Sequence, residues 1–165
     1  MISTRRATPD DAAALAAFAR EAFIDTFAAD NRPEDMAMYL PSAFGENLQL
    51  AEITDPELIT VLAEDDGVMA AYAQMHITDG AVQIKRFYVH RNFHGRGLAQ
   101  SLMAEAENIA RTQRATRLWL GVWDRNYRAI AFYAKCGFRD VGSQEFVLGT
   151  DLQFDRVMEK AVGRL

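Results

Sequence analysis

The stretch Gln83-Ile84-Lys85-Arg86-Phe87-Tyr88-Val89-His90-Arg91-Asn92-Phe93-His94-Gly95-Arg96-Gly97-Leu98-Ala99-Gln100-Ser101-Leu102-Met103 decides how this sequence folds. Its first residues, through Val89, are rich in β-branched and aromatic types, which fit a pleated surface and predict a strand. From Leu98 on, apolar Leu98, Leu102, Ala106, Ile109 and Ala110 recur at spacings of three and four, the stripe of an amphipathic helix. Between them lies a short loop with two glycines one residue apart. A helix start leaves its first N–H groups unpaired and carries a partial positive charge. Glycines remove the side chains that would keep an anion from those groups, so the stretch suits a phosphate. On local grounds the same Gly-x-Gly serves equally as a tight connection.

Two familiar phosphate motifs are absent. The dinucleotide fingerprint wants a third glycine and an acid ending a second strand some ~20 residues on. Here Ala99 holds the third position, and Glu105 to Arg114 continues the helix. No Gly-Lys-Ser/Thr follows, so the loop is not of the Walker type.

The 165 residues fit one domain able to bury a real core, and half of them are hydrophobic. A net charge of −5 argues against a nucleic-acid partner. It is compatible with a cationic small substrate, and equally with ordinary solubility. The one cysteine, Cys136, excludes an internal disulfide and a cysteine-based zinc cluster, and reads as a small hydrophobe. No metal site is expected. Arg5 and Arg6 precede Pro9-Asp10-Asp11 without the apolar run of a signal peptide, and no apolar run is long enough for a bilayer. The expected location is the cytoplasm, with no membrane partner.

Taken in order, Met1 to Ala7 predicts a short strand, and Thr8 caps a helix that opens with Pro9 and continues through Phe27. Asn31-Arg32-Pro33 breaks it; Glu34 to Leu40 predicts a second helix stopping before Pro41, and Asn47 to Ile53 a short third. Glu57 to Ala63 and Val68 to Thr78 predict a hairpin around Glu64-Asp65-Asp66-Gly67, and Thr78-Asp79-Gly80 turns into the strand Ala81 to Val89. The long helix spans Gly95 to about Arg114. The strand Arg117 to Val122 follows a helical crossover, so it should lie parallel to the one ending at Val89. Tyr127 to Cys136 predicts a helix closed by Gly137, and Phe138 to Val147 with Leu152 to Lys160 a last antiparallel pair. The sum is a mixed α/β sheet of about seven strands with helices on both faces. The oligomeric state stays open at this point, and the exposed edge of the last hairpin is compatible with a homodimer.

Two motifs in register now resemble a known family. His94-Gly95-Arg96-Gly97-Leu98-Ala99 resembles the coenzyme loop of the GNAT-type N-acetyltransferases, with His94 where Gln or Arg is usual. Asn126, Ala129, Phe132, Tyr133, Lys135, Gly137 and Phe138 match the family's second motif. The resemblance covers Glu57 to Lys160 and implies the GNAT fold, a mostly antiparallel sheet with a central splayed parallel pair. It also implies acetyl-CoA as donor. Phe87, Tyr88 and Val89 would offer strand backbone to the pantetheine arm, and His94, Gly95, Arg96, Gly97, Leu98, Ala99 and Gln100 would hold the pyrophosphate. Asn126 would contact the arm. Lys135 would meet a phosphate or stand as a solvated charge.

The same resemblance places Tyr133 as general acid for the departing thiolate; from the residues alone it reads as packing beside Phe132. Family members commonly carry a Glu at the position of Gln83, which cannot take a proton. His76, or water relayed from Glu64 or Asp79, are the remaining candidate bases. Phe146 to Met158, and the run Phe27, Asn31, Pro33, Glu34, Asp35, Met36, Tyr39 and Leu40, resemble the bacterial spermidine/spermine branch. Acids at Asp25, Asp30, Glu34 and Asp35 would attract a polycation, or serve as caps and solvated charges. The expected acceptor is a small primary amine such as a polyamine. A protein N-terminus or lysine, and a non-catalytic acetyl-CoA sensor, are the alternatives.

Overall fold

A computed structural model describes residues 1–163. Seven strands form one sheet: β1 (Ile2–Arg6), β2 (Leu58–Asp65), β3 (Val68–Thr78), β4 (Ala81–Val89), β5 (Arg117–Trp123), β6 (Arg139–Leu148) and β7 (Asp151–Ala161). Their order is β1-β2-β3-β4-β5-β7-β6. The helices are α1 (Ala12–Phe27), α2 (Pro33–Ala43), α3 (Glu46–Thr54), α4 (Leu98–Thr112) and α5 (Tyr127–Lys135). All neighbours pair antiparallel except β4 and β5, which are parallel as the crossover requires. The mixed α/β class and the helices on both faces are as expected. Among the described residues, no helix is long and apolar enough to cross a membrane.

Each face has its own core. On one, Leu98, Leu102, Ala106 and Ile109 of α4 and Tyr133 of α5 pack on Val82, Ile84 and Leu120. On the other, Leu15, Ala19 and Phe23 of α1 and Met36 and Leu40 of α2 pack on Leu62, Tyr72 and Leu148.

Several boundaries differ from expectation. The helix α2 continues through Pro41 to Ala43. The ring costs one N–H bond near the helix end, while Leu40, Ala43 and Phe44 all bury there, and that burial holds the last turn. The helix α4 begins at Leu98, because Gly95 and Gly97 adopt φ values of +79° and +77° that belong to the loop. A 3-10 turn at Arg91–Phe93 went unforeseen.

The feature that positions everything else is a bulge. Gln74 pairs with Arg86 and Met75 with Ile84, so Lys85 is an extra residue in β4. Without it Val82, Ile84, Arg86 and Tyr88 would share one face. With it, Phe87 and Val89 join Val82 and Ile84 on the α4 side, and Tyr88 turns to the α1 side. At the same point β4 and β5 part company. Their pairing covers only Ala81–Ile84 with Arg117–Leu120, while β5 stays with β7 to Trp123 and β4 stays with β3 to Val89.

Candidate functional site

The parting of β4 from β5 opens a cleft of about 870 Å³, a size typical of small-molecule sites. One end reaches the α4 N-terminus. There the first intrahelical bond runs from Ser101 N–H to the Gly97 carbonyl at 3.1 Å, so the N–H groups of Leu98, Ala99 and Gln100 have no helical acceptor. A side chain at Gly95 or Gly97 would meet open space, so their role is conformational: positive φ lets the loop turn its N–H groups to the cleft. Among the described residues, no strand pairs with the β5-facing backbone of Lys85 to Val89, which leaves it free for an extended, amide-bearing ligand.

His94 is held in one orientation. One ring nitrogen, Nε2, donates to the Val89 carbonyl at 2.9 Å, and the other, Nδ1, accepts from Arg128 at 3.1 Å. Arg128 thereby stands beside the glycine loop on the cleft wall, a cation that the sequence motifs did not single out. Asn126 lines the cleft while capping α5, its Oδ1 accepting from Ala129 N–H at 3.3 Å.

Tyr133 also lines the cleft, on the α4 side, edge-on to Phe87 with ring centroids 6.0 Å apart. Burial pushes its phenol well above the ordinary tyrosine range, and the neighbouring Tyr88 adds to the effect. A tyrosine so placed keeps its proton at neutral pH and can give it to an anion formed beside it. That joins the two readings of this residue: it packs among aromatics and still faces the cleft.

On the α1 side the cleft ends among aromatic rings. Phe27 lies 5.7 Å from Trp123, Tyr39 5.7 Å from Phe146 and 4.8 Å from Phe23. Asp155 of β7 lines this end. Burial raises its carboxyl, and Asp124 adds to the rise. Sequence reading passed over Asp155 and Trp123. The available signal was strand parity, since Asp155 falls on the same face of β7 as buried Gln153.

Of the expected coenzyme contacts, Phe87, Tyr88, Val89, His94, Gly95, Gly97, Leu98, Ala99, Gln100 and Asn126 come together on this one cleft. Arg96 and Lys135 do not. The guanidinium of Arg96 turns back to Asp65 at 3.2 Å and lies over the Phe93 ring, and Lys135 is exposed away from the wall. The candidate bases also lie off the cleft: His76 sits 3.6 Å from Glu57, Glu64 is held by Arg5, and Asp79 belongs to the β3–β4 turn. Gln83, which stands where the family commonly has a Glu, is paired between His76 and Trp119. Among the expected acids only Asp25 reaches the wall. Asp35 instead accepts from Thr150 N–H and Oγ, tying α2 to the β6–β7 turn. Cys136 is half-buried, and burial pushes its thiol up.

A splayed parallel pair, a glycine loop opening a helix and a buried tyrosine across from it define an acyltransferase type of site. Residues 15–138 match the family described as Acetyltransferase (GNAT) family. The chain is 36% identical over 154 residues to an uncharacterised N-acetyltransferase of Lactobacillus delbrueckii subsp. lactis, covering 88% of this chain and 89% of that one. It is 28% identical over 69 residues, 41% of this chain and 45% of the other, to the spermine/spermidine N(1)-acetyltransferase of Bacillus subtilis. Its fold is similar to that of the PaiA N-acetyltransferase from Thermoplasma acidophilum in complex with coenzyme A, with a TM-score of 0.83 and 21% identity over 98% of this chain and 99% of that one. The chain belongs to the GNAT acetyltransferase family and is an N-acetyltransferase.

Proposed function

We propose that this enzyme transfers the acetyl group of acetyl-CoA to a small primary amine, with a polyamine such as spermidine or spermine as the favoured acceptor. One observation carries the reading. The cleft runs through the sheet, from the N–H groups of α4 on one face to the aromatic end on the other. Phosphates fit the first end by charge, and the unpaired edge of β4 suits an amide-bearing arm. The arm delivers an activated thioester to the point where β4 and β5 diverge.

There the amine nitrogen forms a bond to the thioester carbon, the C–S bond breaks, and the sulfur leaves as a thiolate. Tyr133 gives its proton to that sulfur and regains one from the nitrogen. The polyamine reading is supported by the partial likeness to the Bacillus subtilis enzyme, and by the carboxylate and rings at the acceptor end, which suit a cation. Roofing of that end by α1, α2 and the β6–β7 hairpin favours a thin aliphatic amine over a folded protein surface.

The test is thiol release from acetyl-CoA across a panel of amines that includes spermidine, spermine, lysine peptides and an aminoglycoside. Spermidine-dependent release that falls by ~10² in Tyr133→Phe is the expected outcome for loss of a general acid. Release with the peptides alone would replace the polyamine with a protein acceptor. Tight coenzyme binding with no release on any amine would make the protein a sensor.

A further inference from the structure

We propose that Asp155 is the acceptor-binding carboxylate, pairing with the ammonium of the incoming primary amine and taking its proton before attack. This deepens the acetyltransferase reading and rests on it. The position is the first argument. Leu120 is the last β5 residue paired to β4, and Gly121 follows where the strands part. A Cβ on Gly121 would stand 3.1 Å from Asp155 Oδ2 and would overlap the Gln144 amide. Asp155 therefore overhangs the mouth of the splay on the face opposite Tyr133, and the missing side chain of residue 121 makes room for it.

The second argument is an unmatched charge. Among the described residues, no cation is paired with Asp155. Arg156 turns to Asp140 with contacts of 2.7 and 2.6 Å, and Arg125 lies over the Trp123 ring at 5.1 Å. The contact to Asp155 is a long one from Gln144 Nε2 at 3.5 Å. A half-buried carboxylate on a cleft wall with rings around it calls for a cation that arrives from outside. Facing groups come from every side: Tyr39 from α2, Tyr88 from β4, Asp124 after β5 and Asp25 from α1 on the same cleft. The arginines that line the same cleft are engaged elsewhere: Arg86 by Glu52 at 2.9 Å, Arg91 by Asp25 at 3.7 Å and Arg128 by His94 at 3.1 Å.

The chemistry balances. The ammonium R–NH3+ gives one proton to the Asp155 carboxylate, leaving R–NH2 with a free pair. The apolar walls favour this neutral pair over the ion pair, because desolvation penalises both charges. The amine attacks, the thiolate leaves and is protonated as above, and Asp155 returns its proton to water after product departs.

The experiment follows Trp123 and Trp119 fluorescence during titration with butylamine, putrescine and spermidine in the presence of coenzyme A, alongside kcat and KM. Asp155→Asn is expected to raise the amine Kd by ~10-fold or more while leaving coenzyme A affinity unchanged. It should also remove the acid limb of kcat/KM, and Asp155→Glu should restore part of both. Unfolding temperature should hold or rise in Asp155→Asn, because a desolvated charge is gone. Equal amine binding and equal pH profiles in wild type and Asp155→Asn would overturn the assignment and leave the acetyltransferase standing. Asp155-dependent amine binding without thiol release would keep Asp155 as the acceptor-binding carboxylate and overturn its proton-taking step together with the small-amine transfer reading. Failure of every amine to bind wild type would also overturn it.

Discussion

At the scale of single residues, the site depends on two positions, Lys85 and Gly121, that change what the strands expose. Lys85 is inserted into β4 and reverses the facing of everything after it. Alternation alone would have put Phe87 and Val89 opposite Ile84, so the strand was legible from its composition and the bulge was not. Gly121 is the other, and its neighbours were hidden because Gln144 and Asp155 reach it from the far end of the chain. Gly121→Ala makes a sharp test of that crowding. The added methyl displaces the Gln144 amide and narrows the acceptor mouth, and one methyl group in a fitted pocket is worth ~10-fold or more in discrimination. Amine KM should rise by that scale with coenzyme A affinity unchanged. A matched loss of coenzyme binding would show instead that the whole splay had shifted.

At the scale of elements, helix and strand types were read well because long amphipathic stripes and Asp-Gly turns are local signals. Boundaries were read less well where burial competes with local rules, as in the last turn of α2 beyond Pro41. The start of α4 shows the same limit. Gly95 and Gly97 were legible as an anion loop, while their left-handed φ decided that the helix begins only at Leu98. That geometry predicts the outcome of Gly97→Val. A β-branched residue at φ +77° pays roughly 1–2 kcal/mol and is relieved by moving the loop. Coenzyme A affinity should drop by ~10-fold, the equivalent of that strain, while amine binding measured by fluorescence stays put. Unchanged coenzyme affinity would remove the α4 N-terminus from phosphate binding.

At the scale of the whole molecule, the acceptor wall is assembled from segments that sequence order keeps far apart. Asn31 and Asp35, near the start of α2, meet Gln153 and Thr150 at the β6–β7 turn. Gly149, at φ +63°, approaches Asp35 so closely that a Cβ there would sit 2.6 Å from the Asp35 Cα. Both segments carried the likeness to the spermidine/spermine branch, yet nothing in either run announced that they touch. The sequence suggested Asp35 as bait for a cation; the structure uses it as a latch.

Thr150 N–H and Oγ bond to the Asp35 carboxylate and hold it below its ordinary value of 3.8, with Arg32 adding a smaller effect. A depressed native value means that the contribution of the latch to stability is fully present above 3.8 and is lost as pH falls through the lower native value. Asp35→Asn keeps the shape and removes the charge. Its unfolding temperature should lie below that of wild type near neutral pH, and the gap should close as pH falls from 3.8 through the lower native value, where wild type also loses the charge. Because the latch shapes only the acceptor wall, amine KM should rise in the variant while coenzyme A affinity is retained. A gap that stays constant across the pH series would show that the two turns are held together by packing of Tyr39 on Phe146, and that the carboxylate charge adds nothing to the join.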